Sequence, residues 1–320
     1  MYNKIYMKIG IFTASTPIRS KENHYDFLIS CGVEVYEHPS CRYDKDGYLA
    51  GTVDDRVRAI HDLFLDKTVD VVMSFWGGLN SNQLLKKIDY ELIQKNYKPI
   101  IGYSDTTALL LAIQKMTGKT TYLGPAGITF LKPEPVKYSY EYFRRLVINR
   151  ETRVEIIDAP EYADDAYFLR SEPDNLYRHV VKNPGRSIYR EGIAEGRIVA
   201  GNLQTFFMLV GTTFFPNIKK SILFLEEDES ISREYLHRYL THLSQLPDFP
   251  YIRGIVFGRL CEQSRITDEQ LCKIFDDVFE GMNIPIIYNM NFGHSDPMFT
   301  IPIGGNAKLD TYINSVILSY

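Results

Sequence analysis

Ser104 is the strongest candidate for chemistry in the sequence. The apolar run at residues 99–101 ends at Gly102, Ser104 follows two residues later, and a helix-forming stretch begins directly after it. A strand, a sharp turn and a helix in this order expose a serine hydroxyl near the positive end of the helix dipole, where backbone N–H groups can hold an oxyanion. An ordinary strand-to-helix turn with Ser104 or Asp105 as N-cap explains the same pattern. Residue 106 is threonine, so the second glycine of the usual motif is absent.

A serine nucleophile needs a base, and His294 is the best placed of the seven histidines. It lies in the turn-rich loop at residues 291–297, after a predicted strand at residues 284–287. A histidine on a glycine-flanked loop can be aimed into a cleft. A purely structural loop histidine is the competing interpretation.

Two glutamates compete for the role of the acid that orients this base. Glu226 and Glu227 directly follow the apolar run at residues 221–225, and an acid at the end of a buried strand can accept a hydrogen bond from an imidazole. Successive strand residues point to opposite faces of a sheet, so the two cannot both serve. A solvated acidic loop explains these residues equally well.

Paired glycines offer the backbone N–H groups that an oxyanion requires. Gly77 and Gly78 follow a predicted strand, and glycine lets a backbone approach a ligand closely. The N–H of Asp105 is a further candidate. The same glycine turn could instead cradle a phosphate. The sequence contains neither G-x-G-x-x-G nor G-x-x-x-x-G-K-[ST], so a nucleotide cofactor is disfavoured.

The elements that must position these residues follow an α/β pattern. Strands and helices alternate through residues 1–132, which predicts βαβ units and a parallel sheet with its ligand site at the carboxyl ends of the strands. Regular elements return at residues 196–320 as a second α/β domain. Residues 133–195 contain a predicted helix at 138–148 and a stretch without clear period at 158–190, which is either a surface linker or a lid over a site.

Composition excludes several classes of function. The 320 residues carry a net charge of −4, which provides no basic surface for nucleic acid. Four cysteines without C-x-x-C or zinc spacing indicate reduced thiols and no metal site. No signal peptide and no membrane-spanning stretch are found, so we expect a cytoplasmic protein without a membrane partner. Either Met1 or Met7 could be the start.

Several blocks of the sequence resemble the LD-carboxypeptidase family of serine peptidases. They occur in the family's order and span nearly the whole chain: GGLNSNQLL (77–85), GYSDTTALL (102–110), GNL (201–203), ILFLE (222–226) and GHSDPMFTIPIG (293–304).

The resemblance implies a Ser-Glu-His triad, with Ser104 as nucleophile, His294 as general base and Glu226 as the acid that orients it. It implies an oxyanion hole from Gly78, or its neighbour Gly77, together with the Asp105 N–H. Members of the family are typically cytoplasmic homodimers without metal or cofactor. Their fold combines a Rossmann-like N-terminal domain with a parallel sheet and a smaller C-terminal α/β domain.

Two branches of the family differ in substrate. The G-G-x-N-S-N block at residues 77–82 resembles microcin C immunity proteins, which cleave the bond joining a peptide or aminoacyl group to a modified nucleotide. The alternative is a murein LD-carboxypeptidase that releases D-alanine from a tetrapeptide, and a non-catalytic ligand-binding homologue is a third possibility. By resemblance Asn80 and Asn202 would contact the substrate. Immunity proteins tend to stack a central-loop tryptophan on the nucleobase, and here Arg186 or Tyr189 would take that place.

Overall fold

The computed structural model describes residues 7–20, 22–131, 136–165 and 178–320. Its strands, in chain order, are β1 (Met7–Phe12), β2 (Val33–Glu37), β3 (Val71–Ser74), β4 (Ile100–Gly102), β5 (Thr121–Leu123), β6 (Arg153–Glu155), β7 (Glu161–Tyr162), β8 (Val181–Lys182), β9 (Ser187–Arg190), β10 (Ile193–Asn202), β11 (Ser221–Glu226), β12 (Gly254–Gly258), β13 (Ile286–Met290), β14 (Ile301–Ile303), β15 (Asn306–Asp310) and β16 (Ser315–Ser319). Its helices are α1 (Asp26–Ser30), α2 (Val53–Leu65), α3 (Tyr90–Lys95), α4 (Thr107–Thr117), α5 (Lys137–Phe143, continued by a π turn at Arg144–Ile148), α6 (Leu203–Phe207), α7 (Arg233–Ser244) and α8 (Asp268–Val278).

The first sheet has the strand order β14-β5-β4-β3-β1-β2, and β1 to β5 run parallel. All residues of β3 and β4 are buried, as expected for apolar strands covered on both faces. The strand order reverses direction between β1 and β3, and ligands bind at such a switch point beyond the carboxyl ends of the strands. This sheet confirms the predicted Rossmann-like fold.

The second sheet has the order β6-β16-β15-β10-β11-β12-β13-β9, with β10 to β13 parallel and the flanking strands antiparallel. β11 and β12 are entirely buried. The mixed α/β architecture with two sheets therefore confirms the predicted fold class.

Each sheet contains strands from more than one of the segments predicted from the sequence. β14, which belongs to the C-terminal segment, pairs antiparallel with β5 in the first sheet. β6 and β9, which belong to residues 133–195, join the second sheet. The helix α4 lies where the sheets meet, and every residue from 108 to 113 is fully buried. An all-round apolar helix is typical of such a position.

Several predicted elements differ from the structure. The sequence predicts a helix at residues 22–30 that would include His24, but the first helix spans only Asp26–Ser30 and His24 lies outside it. The strand predicted at residues 284–287 is Ile286–Met290, because Pro285 cannot donate a hydrogen bond to the sheet. The stretch at 158–190 contains the β7–β8 pair and β9. Within it, residues 166–177 lie outside the described residues, as do residues 1–6 and 132–135.

Candidate active site

The backbone at Ser104 has the strained geometry of a nucleophile elbow. Ser104 lies between β4 and α4 and has φ +60°. This is the left-handed region, which residues other than glycine rarely adopt. A short 3-10 turn, Ser104–Thr106, joins the strand to the helix. Such strain persists only where the surroundings hold it, and it concentrates at functional sites.

The carboxylate of Asp105 stabilises this turn through hydrogen bonds. It is buried, and its Oδ2 accepts hydrogen bonds from the Ser15 hydroxyl, from the Asn80 N–H at 3.1 Å and from the Ser81 N–H at 2.9 Å. The Ser81 hydroxyl also donates to the Asp105 backbone carbonyl. These contacts fix the glycine turn against the elbow. The sequence pattern indicated the Asp105 N–H as an oxyanion donor and Asp105 as an alternative N-cap, and the support that its side chain gives to the glycine turn was missed.

Arg56 also stabilises the segment around the glycine turn, and this role was not predicted from the sequence. It is fully buried on α2, and it donates to the carbonyl of Ala14 at 2.7 Å and to the side chain of Gln83 at 2.7 Å. A longer contact, 3.5 Å, reaches the carbonyl of Asn80. Position 56 lies four residues before Ile60 and seven before Leu63, on the apolar face of α2. Arginine is rarely fully buried, so this residue was not singled out from the sequence.

The glycine turn approaches Ser104 so closely that no side chain fits. A Cβ on Gly77 would stand 2.6 Å from Ser104 Oγ and 3.3 Å from the Asp105 nitrogen. Gly78 has φ +139°, and a Cβ there would stand 2.5 Å from Ser15 Cβ. The predicted close backbone approach is thus present, next to the hydroxyl that a substrate carbonyl would meet.

His294 and Glu226 form a buried hydrogen-bonded pair. His294 Nδ1 lies 2.7 Å from Glu226 Oε2, and their side chains are 6% and 1% exposed. Burial alone would lower the pKa of His294, but the Glu226 carboxylate outweighs it and holds this pKa above the ordinary value of 6.5. Because Nδ1 faces the carboxylate, Nε2 is the ring atom left to exchange protons.

Gly293 allows the histidine loop to lie against the acid. Its φ is +100°, and a Cβ there would stand 2.7 Å from Glu226 Cβ. The loop is held further along its length by Arg178, which pairs with Asp296 at 2.8 Å and with Asp165 at 2.6 Å, all three side chains being at most 7% exposed. Arg178 was missed in the sequence, since nothing local connects it with Asp296, which lies 118 positions away.

Ser104 and His294 line one cavity of about 500 Å³. Its lining includes the apolar side chains of Trp76, Leu79 and Ile128 and also residues 228–230. Trp76 is held in place by an indole N–H bond of 2.8 Å to the carbonyl of Thr16. A mostly apolar cleft with a few convergent polar groups is the usual form of a small-molecule site.

Glu227 lies apart from the pair, as the strand alternation predicted. It is 1% exposed, and its Oε2 accepts hydrogen bonds from Gln204 Nε2 at 2.9 Å and from Asn202 Nδ2 at 3.4 Å. Burial is the main reason that its pKa rises to about 8. Of the two glutamates, Glu226 is the one whose side chain contacts His294 in the structure.

The four residues expected to bind substrate are engaged elsewhere and do not line this cavity. Asn80 contacts Asp105 through its backbone, and Asn202 caps α6 by accepting from the Thr205 N–H. Their contact with substrate stays a prediction.

Arg186 and Tyr189 do not line this cavity, and their stacking on a nucleobase stays a prediction. Arg186 is buried against Asp158 at 2.8 Å, and the Tyr189 hydroxyl bonds to Asp276 on α8. These partners, which are distant in sequence, hold both side chains away from the cavity.

The described ranges contain neither a metal site nor a membrane-spanning helix. No three His, Cys, Asp or Glu side chains there come together in a way that could hold a metal ion. None of the helices in those ranges combines the length and apolar character needed to span a membrane.

Family models match both halves of the chain. The LD-carboxypeptidase N-terminal domain matches residues 9–124, and the LD-carboxypeptidase C-terminal domain matches residues 195–309. A Treponema pallidum protein, named provisionally as a carboxypeptidase, is 38% identical over 268 residues, which cover 84% of this chain and 78% of that protein. The microcin C7 self-immunity protein MccF of Escherichia coli is 29% identical over 320 residues, which cover 94% of this chain and 90% of MccF.

Solved structures share the fold described above. An MccF-like protein from Bacillus anthracis superimposes with a TM-score of 0.91 at 33% identity and covers 98% of this chain and 97% of its own. A structure of MccF in complex with aspartyl sulfamoyl adenosine gives a TM-score of 0.88 at 29% identity, with 99% of this chain and 96% of that chain covered.

Proposed function

This chain belongs to the LD-carboxypeptidase family, and from that premise we propose that it is a serine hydrolase that cleaves amide bonds. Ser104 is the nucleophile, His294 the general base and Glu226 the residue that orients His294. The observation that carries the proposal is the buried 2.7 Å contact between His294 and Glu226, at a cavity that also contains a serine with φ +60°.

The first half of the reaction forms an acyl-enzyme. His294 Nε2 takes the proton of Ser104 as Oγ attacks the substrate carbonyl, and the resulting imidazolium is stabilised by the Glu226 carboxylate. The tetrahedral intermediate collapses, the amide C–N bond breaks, and His294 gives its proton to the leaving nitrogen. In the second half of the reaction, water attacks the acyl-enzyme with His294 again as general base, and the carboxylic acid product leaves Ser104.

The contact between the nucleophile and its base depends on substrate. Within the described ranges His294 bonds to Glu226, while no hydrogen bond joins its ring to the Ser104 hydroxyl. In unliganded enzymes such contacts are often long and tighten only in the complex. Ser104 and His294 line the same cavity, which supports this assignment.

The oxyanion hole in this proposal consists of the N–H groups of Gly78, or Gly77, and Asp105. The close approach of Gly77 to Ser104 Oγ supports it. One such donor is worth about 100- to 1000-fold in rate in serine hydrolases. The side chain of Asp105 would hold the turn at the required distance through Asn80 and Ser81.

The substrate we propose is a peptide or aminoacyl group joined to a nucleotide, as in microcin C immunity. The G-G-x-N-S-N block at residues 77–82 supports this class. A further support is that MccF, a relative over nearly the whole chain, has been solved with aspartyl sulfamoyl adenosine. The cavity of about 500 Å³ suits a small-molecule substrate. A homodimer in the cytoplasm is part of the proposal and rests on the resemblance alone.

A paired turnover assay tests the proposal. The purified protein is offered an aminoacyl-sulfamoyl adenosine and a murein tetrapeptide, with Ser104→Ala as the inactive variant and a fluorophosphonate probe as a substrate-independent report on the serine. We expect labelling of Ser104 and cleavage of the nucleotide conjugate. Release of D-alanine alone would assign the murein reaction instead, and absence of both turnover and labelling would indicate a non-catalytic binding protein.

A further inference from the structure

We propose that this chain has a second binding site, for a small zwitterionic amino acid, in a cavity where the ends of β7 and β12 meet α8. Arg259 binds the carboxylate of this ligand, and Asp164 binds its ammonium group. The cavity has a volume of about 200 Å³, and within the described part of the chain it shares no lining residue with the catalytic cavity. The inference does not depend on the proposed function.

The cavity contains a buried cation without an anionic partner. Arg259 follows β12 and is 6% exposed. Its Nη2 donates only to neutral acceptors, Asn183 Oδ1 at 2.8 Å and backbone carbonyls such as that of Asn289 at 3.1 Å. Its Cζ lies over the Tyr162 ring, 4.1 Å from the centroid. No carboxylate among the described residues forms an ion pair with it. Burial lowers the pKa of Arg259, because an uncompensated buried charge costs free energy.

One nitrogen of this guanidinium is open to a ligand. Nε and Nη1 make no hydrogen bond within the described residues, and of the two only Nε is closed off from solvent. Because Arg259 lines the cavity, Nη1 is the atom through which a ligand reaches the charge. A carboxylate there would accept a charge-assisted hydrogen bond, which is about twice as strong as a neutral one.

Asp164 provides the opposite charge on the same cavity. It is half-buried, and in the described ranges only its own backbone N–H donates to its carboxylate. Burial raises the pKa of Asp164, and the charge of Arg259 opposes this rise, so each side chain lies in the field of the other. The two nevertheless form no ion pair. A ligand with an ammonium and a carboxylate can span two opposite charges that do not meet.

The rest of the lining limits the size and charge of the ligand. Asp268 Oδ2 already accepts a hydrogen bond from Asn289 Nδ2 at 2.9 Å, and Glu262 is exposed. With three carboxylates and one arginine in the described lining, a simple anion such as phosphate is disfavoured, whereas a zwitterion is not. Leu260 and Leu271 offer an apolar surface to a small side chain. The volume is below the range of about 300–1,000 Å³ typical for drug-sized ligands, which favours an amino acid over a nucleotide conjugate.

Isothermal titration calorimetry on the full chain tests the site with four small probes. L-alanine and D-alanine carry both charges, propionate carries only the carboxylate, and ethylamine carries only the ammonium. We expect at least one alanine enantiomer to bind with a Kd about tenfold or more below those of propionate and ethylamine, in keeping with one hydrogen bond to a charged group. Preference for the L enantiomer would identify free L-amino acids as the source, and preference for the D enantiomer would identify D-alanine from murein peptides.

Two variants connect the binding with the cavity. Asp164→Asn removes the charge that faces the ammonium, and it should fold because no other described residue bonds to that carboxylate. It should raise the Kd of alanine about tenfold or more without weakening propionate. Arg259→Lys keeps the charge but loses the planar fork, so it should weaken both ligands. Asp54→Asn makes the same change as Asp164→Asn at an exposed position outside the cavity and should bind alanine like the wild-type protein.

The outcomes decide between this site and other places of binding. Equal affinities of the wild-type protein for alanine and propionate, no binding of either enantiomer, or an unchanged affinity for alanine in Asp164→Asn would overturn the amino-acid site. Loss of alanine binding in Asp164→Asn, with Ser104 still reactive toward the fluorophosphonate probe, would support a site separate from the catalytic cavity. Absence of turnover in the wild-type protein would overturn the proposed function and leave this test unaffected.

Discussion

His294 Nδ1 lies 2.7 Å from Glu226 Oε2, in a pair that water barely reaches. The two residues are 68 positions apart and meet because β11 ends at Glu226 and the loop after β13 returns to it through Gly293. Burial opposes a charged imidazole, but the carboxylate outweighs this effect and raises the pKa of His294. The free protein therefore holds its base protonated to a higher pH than an exposed histidine would.

The first prediction follows from this raised pKa. Only the neutral imidazole can accept the Ser104 proton, so kcat/KM should rise with pH through an apparent pKa above 6.5. Glu226→Gln removes the charge that favours the imidazolium. We expect the rising limb of the kcat/KM profile to move to lower pH and the maximal rate to fall by about 100-fold or more. The measurement is the pH profile of fluorophosphonate labelling and of turnover.

The control for the first prediction is Glu280→Gln, which removes one negative charge from an exposed position. Its profile should coincide with that of the wild-type protein. A limb that stays in place in Glu226→Gln would show that this glutamate does not govern the basicity of His294.

The second prediction concerns Gly77. Its φ lies outside the left-handed region, but an added methyl would stand 2.6 Å from Ser104 Oγ. Gly77→Ala should therefore leave the fold intact and displace the nucleophile. We expect a loss of about 100-fold in labelling and turnover, since misplacements of about 1 Å cost rates of this order.

Gly118 provides the opposite case for comparison. It has φ +72°, and an added Cβ would meet no atom within 4 Å, so alanine there is strained without touching the site. Gly118→Ala should lower the free energy of unfolding by about 1–2 kcal/mol and leave turnover unchanged. If Gly77→Ala kept full activity, the glycine turn would not abut the nucleophile as described.

The third prediction tests Asp105 as a support of the glycine turn. Three donors converge on its Oδ2, from Ser15, Asn80 and Ser81. Asp105→Asn keeps the size but replaces one acceptor oxygen by a donor group, so at least one buried bond is weakened or lost. We expect a loss of about 1–3 kcal/mol in urea unfolding and faster amide hydrogen exchange at residues 80 and 81.

A matched change at the surface should do much less. Asp54→Asn breaks an exposed pair with Lys87, whose side chains are 67% and 55% exposed, and such pairs contribute about 0–1 kcal/mol. Equal losses in the two variants would mean that the contacts of Asp105 do not stabilise the turn.

Local sequence signals predicted the parts of the site that depend on neighbouring residues. The elbow at Ser104 follows from a strand and a helix joined by the four residues 103–106. The capping-box spacing of Thr267 and Gln270 in the sequence predicts the start of a helix, and the structure confirms it as the start of α8. The choice between Glu226 and Glu227 required the family resemblance, because strand alternation says only that one of them is excluded.

Contacts between distant residues were not predictable in this way. Arg178 meets Asp296 across 118 positions, and Arg186 meets Asp158 across 28. No period or spacing in the sequence connects such partners. The placement of β14 in the first sheet is a similar case, since a three-residue strand carries little local signal. The burial of Arg186 against Asp158 was not predictable for the same reason.

The last prediction concerns Glu227, whose pKa burial raises from 4.5 to about 8. Between these two values the folded protein holds a proton that the unfolded chain releases, so the free energy of unfolding should fall as pH rises from about 4.5 to 8. Glu227→Gln abolishes this titration, and a glutamine oxygen can still accept from Gln204. The variant should gain stability over the wild-type protein progressively across this window, by on the order of 5 kcal/mol at full ionisation. The raised pKa of His294 also makes stability fall with rising pH, but it does so in both proteins and cancels in their difference. Urea unfolding of both proteins at pH 5, 6.5 and 8.5 measures this difference, and a constant offset across the three would show that Glu227 does not titrate in this range.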